Sequence, residues 1–153
     1  GEYSRAVEEY QALLEHSPEG AEKVRFLVAM EYVKMNDLKQ ARVELNELLK
    51  NAVAGELIQQ VKYQIANTYY LEGDTEEALK RFAGVIKEYP ESPIAFEALF
   101  ARARVYDEQG RLAEALDILK GLEGKYPNKD ALKTAVEWTQ KRLDTDPGLR
   151  RKR

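Results

Sequence analysis

Apolar residues along this chain recur every three or four positions, in blocks separated by short polar turns. Val61, Ile65, Thr68 and Tyr69 form one block, and Leu79, Phe82, Val85 and Ile86 form the next. That spacing gathers each set on one face of a helix, whereas a half-buried strand would need strict alternation. No segment alternates in that way, and no hairpin turn joins two apolar runs. The pattern predicts helices near 2–16, 20–35, 38–51, 56–72, 75–89, 93–109, 112–125 and 129–144. Local chemistry marks several ends. Gly73 can take the left-handed conformation that stops a helix, and Asp74 can cap the next one, with Glu77 completing a capping box. Ser92 is a cap, with Pro93 at the first helical position, where its missing N–H is harmless.

The blocks themselves repeat. The run 65–82 has a diverged copy at 102–119. Tyr69 and Tyr106, Gly73 and Gly110, Ala78 and Ala115, Pro90 and Pro127 all share one offset (106 − 69 = 37; 127 − 90 = 37). An earlier copy runs 32–41, with Asn36 the same distance before Gly73 (73 − 36 = 37). A half copy precedes it, in which Tyr3, Ala6, Tyr10, Leu13 and Pro18 correspond to Thr75, Ala78, Phe82, Val85 and Pro90. The expected organisation is one domain over 1–144. It holds a half repeat at 1–18, repeats at about 19–55, 56–92 and 93–128, and a capping helix at 129–144. A basic tail, 145–153, is expected to be disordered. One helix pair cannot bury its own apolar face, so such units stack and share a continuous core. Ala29, Ala66 and Ala103, with Ala41, Ala78 and Ala115, stand where paired helices should cross closely.

This pattern resembles the tetratricopeptide repeat, whose signature reads Trp-x2-Leu-Gly-x2-Tyr, then Ala-x3-Phe, then Pro. The aligned residues are Arg25-x2-Val28-Ala29-x2-Tyr32, Lys62-x2-Ile65-Ala66-x2-Tyr69 and Leu99-x2-Arg102-Ala103-x2-Tyr106. They continue with Ala6-x3-Tyr10, Ala41-x3-Leu45, Ala78-x3-Phe82 and Ala115-x3-Leu119, and with Pro18, Pro90 and Pro127. The tryptophan of the signature is missing, Arg102 replaces an apolar residue, and Val53 stands where a proline would fall. The repeat exceeds the family's usual length of about 34 residues, and the extra residues fall at the junctions. The junction Tyr89-Pro90-Glu91-Ser92-Pro93-Ile94-Ala95 is similar to that of bacterial envelope tetratricopeptide proteins, of the outer-membrane-assembly lipoprotein and Tol–Pal coordinator type. The resemblance implies an all-α, right-handed α-solenoid of about eight helices that acts as a protein–protein interaction scaffold. It also implies a bacterial envelope setting on the periplasmic side, with a cytoplasmic one as the alternative.

In such solenoids the first helix of each pair lines a concave groove. Phe26, Tyr63 and Phe100 hold equivalent positions there (63 − 26 = 37; 100 − 63 = 37). Met30, Asn67 and Arg104 follow one turn on, then Val33, Tyr70 and Asp107. The expected site is Phe26, Met30, Val33, Tyr63, Asn67, Tyr70, Phe100 and Arg104, holding a peptide or a partner helix. The other reading packs these rings between adjacent helices as ordinary core. The Lys and Asn clamp by which part of the family grips a C-terminal carboxylate matches only at Asn67. Trp138 lies at the edge of the last helix's apolar stripe; it is expected to cover the core there, the alternative being a partner anchor. Val7, Tyr10, Leu13 and Leu14 lack a preceding helix. Either upstream sequence covers them or two copies pair through them, which makes self-association the alternative function.

Composition narrows the chemistry. Lys and Arg number 24 against 27 Asp and Glu, a near balance that offers no strong field for nucleic acid or anionic lipid. With no cysteine and one histidine, His16 at a helix end, neither a nitrogen- or sulfur-rich metal site nor a catalytic constellation is expected. Gly121-Leu122-Glu123-Gly124 lacks the length and the following Lys of a phosphate loop. Neither an enzyme nor a cofactor is expected. Arg150-Arg151-Lys152-Arg153 is read as part of the tail, and no apolar run has a membrane span's length. Gly1 opens within a repeat, so the sequence reads as a piece of a longer protein.

Overall fold

Each stretch that the apolar spacing marks as helical holds a helix in the computed structural model, which describes residues 2–16, 20–50 and 55–145, and of residues 14–16 the backbone alone. In chain order the helices are α1 (Glu2–His16), α2 (Ala21–Lys34), α3 (Leu38–Lys50), α4 (Glu56–Glu72), α5 (Thr75–Glu88), α6 (Pro93–Glu108), α7 (Leu112–Gly121) and α8 (Lys129–Thr145). No strand occurs among the described residues. The side chains of Leu14 and His16, together with Pro18, Val53 and the basic run 150–153, lie outside them.

The repeat offset is visible in the backbone of the turns. Asn36, Gly73 and Gly110 all have positive φ, at 59°, 91° and 74°. At each, two N–H groups fold back onto the helix just ended. Asp37 donates to the Tyr32 carbonyl, Asp74 to Tyr69 and Arg111 to Tyr106, at 2.9, 3.0 and 2.8 Å. Asn36, Gly73 and Gly110 donate to Val33, Tyr70 and Asp107, each at 3.0 Å. These bonds satisfy carbonyls that a helix end leaves orphaned. A Cβ built on Gly73 meets nothing within 4 Å, so only the left-handed backbone penalises a larger residue there. Gly73→Ala is therefore expected to cost about 1 kcal/mol and Gly73→Asn less, since asparagine tolerates that conformation. Urea unfolding of the two variants checks the order, with Asn36 as the natural precedent.

Helix starts repeat as well. Asp37 accepts the Gln40 N–H and Asp74 the Glu77 N–H, both at 3.1 Å. Ser92 accepts the Ala95 N–H at 3.2 Å, and Asn128, a cap not expected from the sequence, accepts that of Ala131 at 3.0 Å. The capping box at Asp74 is half formed. The Glu77 carboxylate turns to Arg81 and Lys80 at 2.8 and 3.3 Å, because the Asp74 N–H is already taken by Tyr69. The expected helix over 112–125 ends early, at Gly121. Two glycines weaken the last turn, and Gly124 at φ 78° cannot continue it. The chain tightens there: Leu122 donates to Leu119 and Glu123 to Lys120, at 3.1 and 3.2 Å. The tighter turn keeps Leu122 and Tyr126 buried.

Two compact units result, residues 1–81 and 82–153. In the first, α1 packs on α2, α2 on α3 and α3 on α4, and α2 also touches α4. Its core joins Ala29, Leu45, Leu48, Val61 and Ile65. In the second, α7 packs on both α6 and α8, and the core joins Ala103, Leu119, Leu122, Tyr126 and Leu132. The six crossing alanines, Ala29, Ala41, Ala66, Ala78, Ala103 and Ala115, have no exposed surface, as close helix approach requires. Thr68 is equally buried and satisfies its hydroxyl by donating to the Ile65 carbonyl at 2.6 Å. On α1, Val7 is buried, contrary to its place in the uncovered apolar strip, because that face meets α2. Tyr10 is half-buried, and Tyr3 and Leu13 remain exposed.

Candidate docking cleft

The helices α6 and α8 flank a cleft of about 460 Å³ floored by Ala103 and by Leu119 of α7. Phe100 supplies one aromatic to its lining, and Trp138 another. Phe100 is half-buried, its ring stacked on Tyr126 with centroids 4.6 Å apart and planes at 10°. Tyr126 in turn donates its hydroxyl to Glu97 at 2.9 Å, which ties the junction after α7 back to α6. Phe100 thus belongs to the core and to the cleft at once. Trp138 is 60% exposed, which corrects the expectation that it covers the core edge. The buried neighbour is Thr139, so the helix turns Trp138 outward along the cleft.

Arg104, Asp107, Glu108 and Thr134 complete the lining with polar groups. Asp107 is held from both sides. Its carboxylate accepts the Thr139 hydroxyl at 2.9 Å and the Arg142 guanidinium, and Arg142 also reaches the Asp107 carbonyl at 3.4 Å. Its charge is therefore answered inside the protein. The floor is apolar, the aromatics stand beside it, and the polar groups are few. Such a lining favours burial of an apolar group with orientation set by hydrogen bonds.

Of the expected site residues, Phe100 and Arg104 meet in this cleft. Phe26 and Met30 are half-buried and pack onto the core of the first unit. Val33, Tyr63, Asn67 and Tyr70 are half-buried, and Asn67 donates to Gln64 at 3.3 Å. Sequence spacing pointed to Asp107 as a groove position but not to Thr139 or Arg142. A signal for Thr139 was present in part: it stands where two earlier repeats have the buried Ile65 and Val28 (139 − 74 = 65; 65 − 37 = 28) and the third has Arg102 (139 − 37 = 102).

Charged groups elsewhere serve packing. The Tyr69 ring lies between the Arg42 and Arg81 guanidinia, at 4.5 and 4.7 Å. Lys50 holds the Glu47 carboxyl below its usual range, and Arg111 does the same for Glu114, both on open helix surface. Among the described residues no group of three or more potential ligands could hold a metal ion. Among them, too, no helix is long and apolar enough to cross a membrane.

Comparison with known proteins gives this geometry a context. A tetratricopeptide repeat protein from Parabacteroides merdae is 19% identical, with a TM-score of 0.65 over 94% of this chain and 56% of that one. The present chain thus spans little more than half the length of that relative. MamA MSR-1 C2 is 22% identical, with a TM-score of 0.61 over 94% of this chain and 79% of that one. At these identities the likeness speaks for the fold alone. No curated protein matches the chain. Residues 63–130 match the family model of the tetratricopeptide repeat. The chain therefore has an all-α fold of the helix-hairpin solenoid class, and its residues 63–130 are similar to the tetratricopeptide repeat.

Proposed function

We propose that this chain is a non-enzymatic protein-interaction scaffold, and that a partner peptide or helix seats in the cleft between α6 and α8. Tetratricopeptide repeats generally mediate contacts between proteins. The observation that carries the reading to this site is Trp138, which lines the cleft with Phe100 and is 60% exposed. Interface centres favour such residues because a rigid ring buries much area at modest entropy cost. Within the first unit, Phe26 and Met30 pack on core, and Val33 of α2 with Tyr63, Asn67 and Tyr70 of α4 are half-buried first-helix positions that offer a separate face. Placement in the bacterial cell envelope is a finer reading, supported by the junction at 89–95.

Affinity capture with the wild-type chain and with Trp138→Ala tests the proposal. Loss of a central aromatic weakens binding by about 30-fold or more, so the variant should release what the wild type retains. Equal capture by both removes the cleft from the reading. A second reading, self-association, is favoured by Tyr3 and Leu13, which stand 49% and 51% exposed on α1. Sedimentation across a range of concentrations separates the two, and a persistent monomer removes the second.

A further inference from the structure

Asp107, Thr139 and Arg142 form a polar crossing between α6 and α8. Where Asp107 stands, the earlier repeats have Tyr70 and Val33 (107 − 37 = 70; 70 − 37 = 33). Where Thr139 stands they have Val28, Ile65 and Arg102, and where Arg142 stands they have Glu31, Thr68 and Val105, so the carboxylate of Asp107 is what the last crossing adds. Apolar side chains attract without direction, so helices that meet through them can shift by small amounts. Hydrogen bonds to a charged group fix distance and angle, and they are about twice as strong as neutral ones.

All three bonds converge on one residue. Asp107 takes Thr139 on Oδ1, Arg142 on Oδ2, and Arg142 again on its carbonyl oxygen. Thr139 is 2% exposed, and the Asp107 side chain 18%, so water competes weakly for either. Thr139 directly follows Trp138 in the chain. We propose that Asp107 is the positioning residue of the cleft: by holding Thr139 and Arg142 it fixes α8 and thereby holds Trp138 as a standing wall. The inference rests on the cleft being the docking site, but its test needs no partner, so each can fail alone.

Trp138 is the chain's one tryptophan, so its fluorescence anisotropy decay reports this wall and nothing else. In the wild type the decay should follow the tumbling of the whole molecule. Asp107→Asn should add a fast local component while far-ultraviolet circular dichroism keeps its helical content. Thr139→Val, which leaves the ion pair in place, should add a smaller one. Amides of α8 should exchange at least about tenfold faster in Asp107→Asn, as the loss of one charge-assisted bond requires, with α7 unchanged. A folded Asp107→Asn chain with the wild-type decay overturns the proposal. If that variant does not fold, Thr139→Val decides, and a decay identical to wild type overturns it equally.

Discussion

Phe82→Ala is expected to lower the unfolding free energy by about 3–5 kcal/mol, the range for truncating a fully buried ring. Phe82 has no exposed surface and stands first among the largest fully buried side chains of the protein. It fills the last place of the Ala-x3-Phe signature, which Leu45 and Leu119 fill in the neighbouring repeats with 0% and 2% exposure. Its replacement removes apolar contact and leaves a cavity that interlocked helices can close only in part. Since small domains are stable by about 5–15 kcal/mol in total, this one change removes a large share. Thermal unfolding should show a fall of roughly 2–4 °C per kcal/mol for a chain of this size. Val43→Ala, at a residue 51% exposed, is the control and should stay within about 0.5 kcal/mol of wild type. A Phe82→Ala loss no larger than that would mean that the signature positions do not carry the core.

Phe100→Ala should cost about 2–3 kcal/mol and also disable the cleft. The stability loss falls below the range for a fully buried ring because Phe100 keeps part of its surface on the cleft. A double-mutant cycle with Tyr126→Ala should return a coupling of about 0.5–1.5 kcal/mol for the stacked pair. Trp138→Ala is the counterpart. It should change stability little, since most of the ring already meets water, yet lose binding as completely. The two variants thus separate what the core needs from what a partner needs. Equal stability loss in both would show that Trp138 is packed like Phe100. No stability loss in Phe100→Ala would dissolve the stack on Tyr126.

The fold is legible in the sequence because its determinants are local and recur. Gly73 and Gly110, the capping Asp37 and Asp74, and the crossing alanines each act within a few residues of themselves, and the fixed offset repeats them in phase. A solenoid needs little else, since each unit meets only its neighbours. The cleft was legible in part. Phe100 and Arg104 follow from the same phase, because the first-helix face recurs with the repeat. Trp138 was misassigned because the apolar stripe of α8 is weak. With Thr139 buried on Asp107 and Ala135 small, the helix rotates its largest ring to the outside. That rotation depends on a hydrogen bond between residues 32 apart, a relation that no local pattern encodes. Nor does spacing alone tell core from groove. Phe26 and Phe100 occupy equivalent positions and both pack on core, but only Phe100 has a neighbour such as Trp138 to make a cleft with.

The most direct test of the docking site follows Trp138 itself while a captured partner is added. With fluorotryptophan incorporated in this chain alone, the fluorine resonance reports one side chain, whatever tryptophans the partner carries. A saturable shift of that resonance, absent in Asp107→Asn at the same partner concentration, is the predicted result. Binding that leaves the resonance where it stands in the free protein would contradict it and move the partner to another face.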